Sequence, residues 1–244
     1  DKYPDILLIA NEWAGGHPKN PKPQIVDEHY YSNPDWFIWN SNKYDSYDRN
    51  GSKIFVGEYA VTSGTGNGNL RGAIGDAAWM TGMERNSDHI IMSCYAPLFV
   101  NVNVATQTAP KAWQWDSDLI GYDAMSSYGS PSYYVQREFS KCLGDAIIPV
   151  TAENIPTQNR PAEPQRPGAP ANAQPAKPRP VPTIFYSATK DSKTGEIYLK
   201  IVNTLGKVQP VEINLNGAGK LNSKATLVVI SSAKPEDTNT ITDP

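Results

Sequence analysis

Lys53-Ile54-Phe55-Val56-Gly57-Glu58-Tyr59-Ala60 is a short apolar run that stops at a glycine and then presents a carboxylate. Apolar at consecutive rather than alternate positions, Lys53 to Gly57 reads as a parallel strand buried on both faces. Ile6-Leu7-Leu8-Ile9 upstream and Ile90-Ile91-Met92-Ser93-Cys94-Tyr95 downstream read the same way. Between them the pattern is helical and punctuated. Asn33 caps a helix that starts at Pro34 and that Gly51 ends. A second helix is predicted from about Asn69 to Arg85, with Leu70, Ile74, Ala77 and Ala78 on one face. A third begins at Ser130-Pro131 and carries Tyr134, Val135 and Phe139. Strand and helix in alternation predict an α/β domain with a parallel sheet.

Further along, the composition breaks. Residues 155–182 hold nine prolines and almost no large apolar side chains, so they read as an extended linker or surface insert. Beyond them the apolar period changes to two: Ile197, Leu199 and Ile201, then Val211, Ile213 and Leu215, then a strand from Thr226 to Ile230. Turn residues at Asp191 to Gly195, Leu205-Gly206 and Asn216 to Gly219 separate these runs and predict antiparallel β structure of sandwich type.

The 244 residues correspond to one large domain or one and a half ordinary ones, at about 150 residues each. With 22 basic and 25 acidic residues the net charge of −3 gives no general attraction to nucleic acid or an anionic membrane, and neither is expected as a partner. No apolar run approaches the roughly 18–20 residues that would span a bilayer. The start, Asp1-Lys2-Tyr3-Pro4-Asp5, lacks the pattern of a signal peptide, which is absent or lies outside the chain. A secreted or periplasmic location is favoured over a cytoplasmic one. Cys94 and Cys142 stand far apart; two buried thiols or one disulfide both fit.

Several chemistries find little support. Gly64-Thr65-Gly66-Asn67-Gly68 lacks the lysine of a phosphate loop and reads as a flexible loop over a site. No Gly-x-Ser-x-Gly elbow occurs, and His17, His29 and His89 are not at metal-ligand spacing, so no metal and no cofactor are expected. What remains is carboxylates and aromatics at strand ends. Glu58 directly follows its strand, where α/β barrels put catalytic groups. Asp27-Glu28-His29-Tyr30-Tyr31 gathers acid, imidazole and phenol at the end of a short strand led by Val26. Asn11-Glu12-Trp13 ends the first strand and invites pairing Glu12 with Glu58 as the two carboxyls of a glycosidase.

At Asp27 to Tyr31, at Tyr47-Asp48-Arg49-Asn50-Gly51 and at Lys53 to Ala60, the chain resembles α-L-arabinofuranosidases of glycoside hydrolase family 51. The resemblance continues through Glu84-Arg85-Asn86-Ser87-Asp88, through Ser93 to Asn101 and through Ser127 to Tyr134. It is strong over roughly residues 1–150 and resumes more weakly in the β region. It implies the C-terminal half of a (β/α)8 barrel, strands five to eight, followed by a partial antiparallel β-sandwich. The implied boundaries are 1–145 for the half barrel, 146–154 for the connection, 155–182 for the insert and 183–244 for the sandwich.

The activity implied is retaining hydrolysis of terminal arabinofuranosyl groups from arabinoxylan, arabinan or their oligosaccharides. By the family motifs Glu58 is the nucleophile, Tyr31 orients it, and His29 lies near the acid/base and the sugar. Asp118, Trp113 and Trp115 fall where substrate contacts are expected, and Trp13 is a further candidate for stacking on sugar faces. The family's acid/base follows an Asn at the end of strand four, upstream of Tyr3-Pro4-Asp5-Ile6. The resemblance to a catalytic pair at Asn11-Glu12 is therefore accidental, the true proton donor lies outside the chain, and the isolated chain is expected to be inactive. An endo-acting barrel glycosidase and a non-catalytic sugar-binding module are the alternatives; a homo-oligomeric parent is left open.

Overall fold

A computed structural model describes residues 2–12, 22–103, 115, 117–160, 178–219 and 221–244. Four strands, β1 (Ile9–Glu12), β2 (Ile25–Ser32), β3 (Lys53–Val61) and β4 (Ile90–Tyr95), form one sheet in chain order, and every neighbouring pair is parallel. Helices α1 (Pro34–Asn40) and α2 (Leu70–Arg85) make the crossovers, and α3 (Pro131–Lys141) packs on α2. Val26, Ile54, Val56 and Ile90 come from the strands into a core centred on Trp79 of α2. The Trp79 ring lies 5.1 to 5.6 Å from those of Tyr30, Trp36, Phe37 and Tyr44. Such aromatic packing supplies large apolar burial from few residues.

Local chemistry sets the helix starts as the sequence predicts. The side chains of Asn33, Asn69 and Ser130 accept from the backbone N–H of Trp36, Gly72 and Tyr133 at 2.8, 3.0 and 3.3 Å. Strand β4 and helix α2 also have the expected bounds. Three other elements differ. The first strand begins at Ile9, not Ile6, because a turn at Pro4-Asp5, closed by Ile6 N–H on the Tyr3 carbonyl, holds the start of the apolar run outside the ladder. Helix α1 stops at Asn40 instead of running to Gly51. Its C-terminal end crosses α2 so closely that a Cβ at Gly82 would lie 1.9 Å from the Ser41 carbonyl oxygen, which accepts from Arg85 at 3.2 Å. A short 3-10 turn, Lys43–Ser46, follows, and Gly51 closes a separate turn on Asp48. Strand β3, finally, continues past Gly57 to Val61, so Glu58 lies within it.

A small sheet follows β4, made of β5 (Phe99–Asn101), β6 (Ile120–Tyr122) and β7 (Ser127–Gly129). Beyond α3, β8 (Ala146–Ile147) pairs with β11 (Ile184–Lys190), which also pairs along its length with β12 (Ile197–Asn203), both antiparallel. The ends of the proline-rich stretch are not spacer: β9 (Thr157–Arg160) and β10 (Arg179–Pro182) form an antiparallel ribbon, and Val181 enters the core. Two strands alone tolerate prolines, since β10 has an edge that needs no donors.

No strand forms at Val211–Leu215 or Thr226–Ile230; both runs are exposed. Alternation makes a stretch fit a half-buried sheet, but a strand also needs a ladder partner, and among the described residues none lies beside them. Both cysteines are free thiols, and neither is buried.

Two contacts tie distant parts together. Lys200 on β12 reaches both oxygens of Glu84 at the end of α2, at 2.8 and 2.7 Å, and both side chains are buried. At the other end of α2, the carbonyls of Asp237 and Pro235 accept the N–H groups of Leu70 and Arg71 at 2.9 Å. Those donors have no partner within the helix, so residues 235–238 complete its first turn. No helix among the described residues is long and apolar enough to cross a membrane.

Candidate active site

Side chains alternate between the two faces of a strand. On β2 this sends Asp27, His29 and Tyr31 to the face away from the helices and Glu28 and Tyr30 to the helix side. Registry does the rest. Asn11 of β1 lies opposite Asp27, and a slip between β2 and β3 sets Glu28 against Val56 but His29 against Glu58, leaving Gly57 as the extra residue. A bulge of this kind turns the next side chain onto a new course. Gly57 also makes room, because a Cβ there would stand 2.0 Å from Asp27 Oδ1.

The result is a connected polar group. The Tyr31 hydroxyl donates to Glu58 Oε2 at 2.5 Å, and His29 Nδ1 lies 3.5 Å from the same oxygen. On the other side of the ring, His29 Nε2 meets Asp27 Oδ2 at 3.0 Å, and Asn11 Nδ2 donates to that oxygen at 2.9 Å. Glu58 is 39% exposed, while His29 is 9% exposed, so the carboxylate is open and its flank is held. Burial, and then the hydrogen bond to Glu58, push the Tyr31 phenol above its ordinary value and keep it a donor.

Glu12 is not part of this group. It lies opposite Glu28, so its side chain shares the helix-side face, and its charge is felt at Tyr47. Glu28 is buried there and accepts from Tyr30 at 2.5 Å and Tyr47 at 2.9 Å. Asp118 is buried near the end of β4 and by β7, where its charge acts on Tyr95 and Tyr128. Trp115 is 54% exposed, and Trp13, Trp113 and His17 lie outside the described residues. The loop Gly64 to Gly68 joins β3 to α2, with Gly64, Gly66 and Gly68 all at positive φ. The sequence reading gave no role to Asp27 or Asn11. The signal was present in Asp27-x-His29-x-Tyr31, whose period of two puts all three on one face.

Among the described residues no cluster of His, Cys, Asp and Glu could hold a metal ion. The group can do carboxylate chemistry: one oxygen of Glu58 is tied to a phenol, and the other is available to a reacting carbon.

The chain is 36% identical over 170 residues to an extracellular exo-α-L-arabinofuranosidase of Streptomyces chartreusis, a match covering 66% of this chain and 19% of the relative. It is 29% identical over its whole length to a probable α-L-arabinofuranosidase A of Aspergillus terreus, covering 34% of that protein. Among solved structures, an arabinose-bound family 51 α-L-arabinofuranosidase superposes with a TM-score of 0.64 at 31% identity, over 85% of this chain and 30% of that one. The chain thus spans between a fifth and about a third of the length of these relatives. The profile described as alpha-L-arabinofuranosidase C-terminal domain matches residues 39–244, which include Glu58 and begin after β2. The chain belongs to that family, as the C-terminal portion of a glycoside hydrolase family 51 α-L-arabinofuranosidase.

Proposed function

We propose that the complete protein carrying this chain removes non-reducing terminal α-L-arabinofuranosyl groups from arabinoxylan, arabinan or their oligosaccharides, with retention of configuration. The observation that carries this reading is Glu58: an open carboxylate with Tyr31 on one oxygen and His29 beside it. Tyr31 holds Oε2, so Oε1 attacks the anomeric carbon. The Oε1–carbon bond forms as the glycosidic bond breaks, and the departing oxygen takes a proton from a second carboxylic acid. Water, deprotonated by that same second group, then displaces Glu58. The hydrogen bond from Tyr31 fixes Oε2 and so orients the carboxylate for attack through Oε1.

Retention requires the second carboxyl about 5–5.5 Å from the first. Glu12 and Glu28 stand on the opposite face, and the family resemblance puts the acid/base at the end of strand four, upstream of these residues. The four parallel strands, which run in chain order, support our assigning them as strands five to eight of a (β/α)8 barrel, with residues 1–145 as the half barrel and 183–244 as part of a sandwich. Asp118 and Trp115 remain candidates for sugar contacts from the barrel mouth. The extracellular name of the Streptomyces relative supports secretion.

Release of nitrophenol from 4-nitrophenyl α-L-arabinofuranoside tests the assignment in the complete protein. Glu58→Gln is expected to lose about a thousandfold or more, and Glu12→Gln to stay close to the unsubstituted rate. Unchanged turnover in Glu58→Gln would overturn the nucleophile. The 244-residue chain alone is expected to release none.

A further inference from the structure

A cavity of about 400 Å3 opens on the helix side of the sheet, where the ends of α1 and α2 meet β10 and β11. Glu58 faces the other side, so the cavity is separate from the candidate active site. Its size falls in the range of small-ligand sites, about 300–1,000 Å3. Trp39 and Tyr186 line it with ring surface, and Pro180 and Pro182 stand at its exposed rim. Such surface suits the apolar C–H face of a sugar. The Trp39 ring is itself held in place, since the guanidinium carbon of the buried Arg160 lies 5.0 Å from its centroid. We infer that this cavity is a second, non-catalytic carbohydrate site that takes a hexuronate unit of a polysaccharide, with the sugar ring against Trp39 and its carboxylate on Arg179.

Charge selects an acid over a neutral sugar. Asp45 and Arg85 also line the cavity, but they match each other: Arg85 Nε and Nη2 donate to the two oxygens of Asp45 at 3.0 Å each, and Asn86 Nδ2 gives Oδ1 a further bond at 2.7 Å. Arg179 is not matched in this way. Its Nη2 donates to the Trp39 carbonyl at 3.1 Å, and among the described residues that bond is to a neutral group, not a carboxylate. The guanidinium is a planar fork of five donors, which fits a carboxylate better than it fits scattered hydroxyls. The surrounding sequence has the same sign: residues 160–179 carry Arg160, Arg166, Lys177 and Arg179 against Glu163, in a chain whose net charge is −3. A neutral pentose would meet the same ring surface and leave the cation unused. A polymer held here stays close to the catalytic face while its side groups are removed, which raises their local concentration there. The choice of a sugar acid over another carboxylate rests on the glycan substrate proposed above; the cavity and its charge do not.

Calorimetric titration of the complete protein with trigalacturonate, and with the same trisaccharide as its methyl ester, tests the site. The acid is expected to bind once per chain with a Kd of about 1 mM or below, and the ester about tenfold more weakly. Binding of the acid should weaken as salt is raised from about 0.05 to about 0.5 M. Arg179→Gln should lose about tenfold in affinity for the acid and little for the ester, and Arg179→Lys should recover part of the loss. Trp39→Ala should weaken both ligands. Should Trp39→Ala fail to fold, Arg179→Gln, on the exposed rim, decides the matter. No binding of the acid, or equal binding in folded Arg179→Gln, overturns the site, and equal binding of acid and ester overturns its charge selection. Binding that arises only after residues 161–177 are removed would make that segment the occupant and overturn the proposal as well. The titration involves no turnover and should give the same result in Glu58→Gln, so its failure and a failure of the nucleophile assignment are read separately.

Discussion

Glu28 and Glu58 sit on neighbouring strands, both hydrogen-bonded by tyrosine at 2.5 Å, and they face opposite sides of the sheet. On the helix side Glu28 is enclosed by Tyr30, Tyr47 and the core residue Tyr44, whose phenols are all pushed up, first by burial and then by neighbours that include the Glu28 carboxylate. On the other side Glu58 has one phenol and one imidazole and is open to solvent. The chemistry of the groups is nearly the same, and access separates them. A carboxylate closed in by phenols can stabilise a fold, whereas one with a free oxygen can also meet a substrate.

Substitutions that treat the two alike should give unlike results. The largest expected effect is the loss in Glu58→Gln, about 4 kcal/mol or more in transition-state free energy for a thousandfold loss, with the unfolding midpoint little changed. Comparable turnover losses in Glu28→Gln and Glu58→Gln, with both proteins folded, would erase the distinction.

Asp76 of α2 extends the comparison to a third carboxylate. It is fully buried, takes N–H from Val61 at 3.1 Å and the Ser132 hydroxyl at 2.6 Å, and burial raises its pKa to about 7. Since the folded state holds this proton more tightly than the unfolded one, its contribution to stability is fully present below about pH 4. That contribution is lost as pH rises through about 7 and is flat above it. Denaturation curves should show stability of the unsubstituted protein falling relative to Asp76→Asn by up to about 1.4 kcal/mol per pH unit across that window. Parallel curves would show that Asp76 does not titrate there.

Smaller effects follow from the phenols. Tyr31→Phe removes the hydrogen bond to the Glu58 carboxylate, the proposed nucleophile, and should cost about 1.5–3 kcal/mol in the barrier, roughly ten- to a hundredfold in kcat. Glu28→Gln replaces an acceptor with a donor among phenols and should reduce folding stability by about 1–3 kcal/mol, read by urea denaturation. Tyr47→Phe, on the same closed side, should cost only about 0.5–1.5 kcal/mol and leave kcat near its original value. A loss of turnover in folded Tyr47→Phe larger than in Tyr31→Phe would reverse the assignment of the two faces.

Much of this could be read in the chain wherever local chemistry decides. Asn69 and Arg85 bracket α2, Ile90 to Tyr95 form β4, and the motif around Glu58 named the family. What escaped depends on partners distant in sequence. Nothing near Asn40 announces that α1 must stop where Gly82 of another helix presses on Ser41. Nor does the alternation at Val211 to Leu215 say whether a neighbouring strand exists. The Asp27–His29 contact was visible as a spacing, but its link to Glu58 depends on a one-residue slip in register, which no spacing within either strand records.

The cap that residues 235–238 place on α2 also sets an order of events. Leu70 and Arg71 wait for carbonyls more than 160 positions further along, so the helix that follows the Glu58 strand closes its first turn across one of the longest loops the chain can make. During synthesis β3 and α2 leave the ribosome before Pro235 and Asp237, and the first turn of α2 is sealed only after those two have emerged. Contacts of such sequence separation form late and slow folding. The first turn of the helix that follows the Glu58 strand is thus completed late in the folding of this chain.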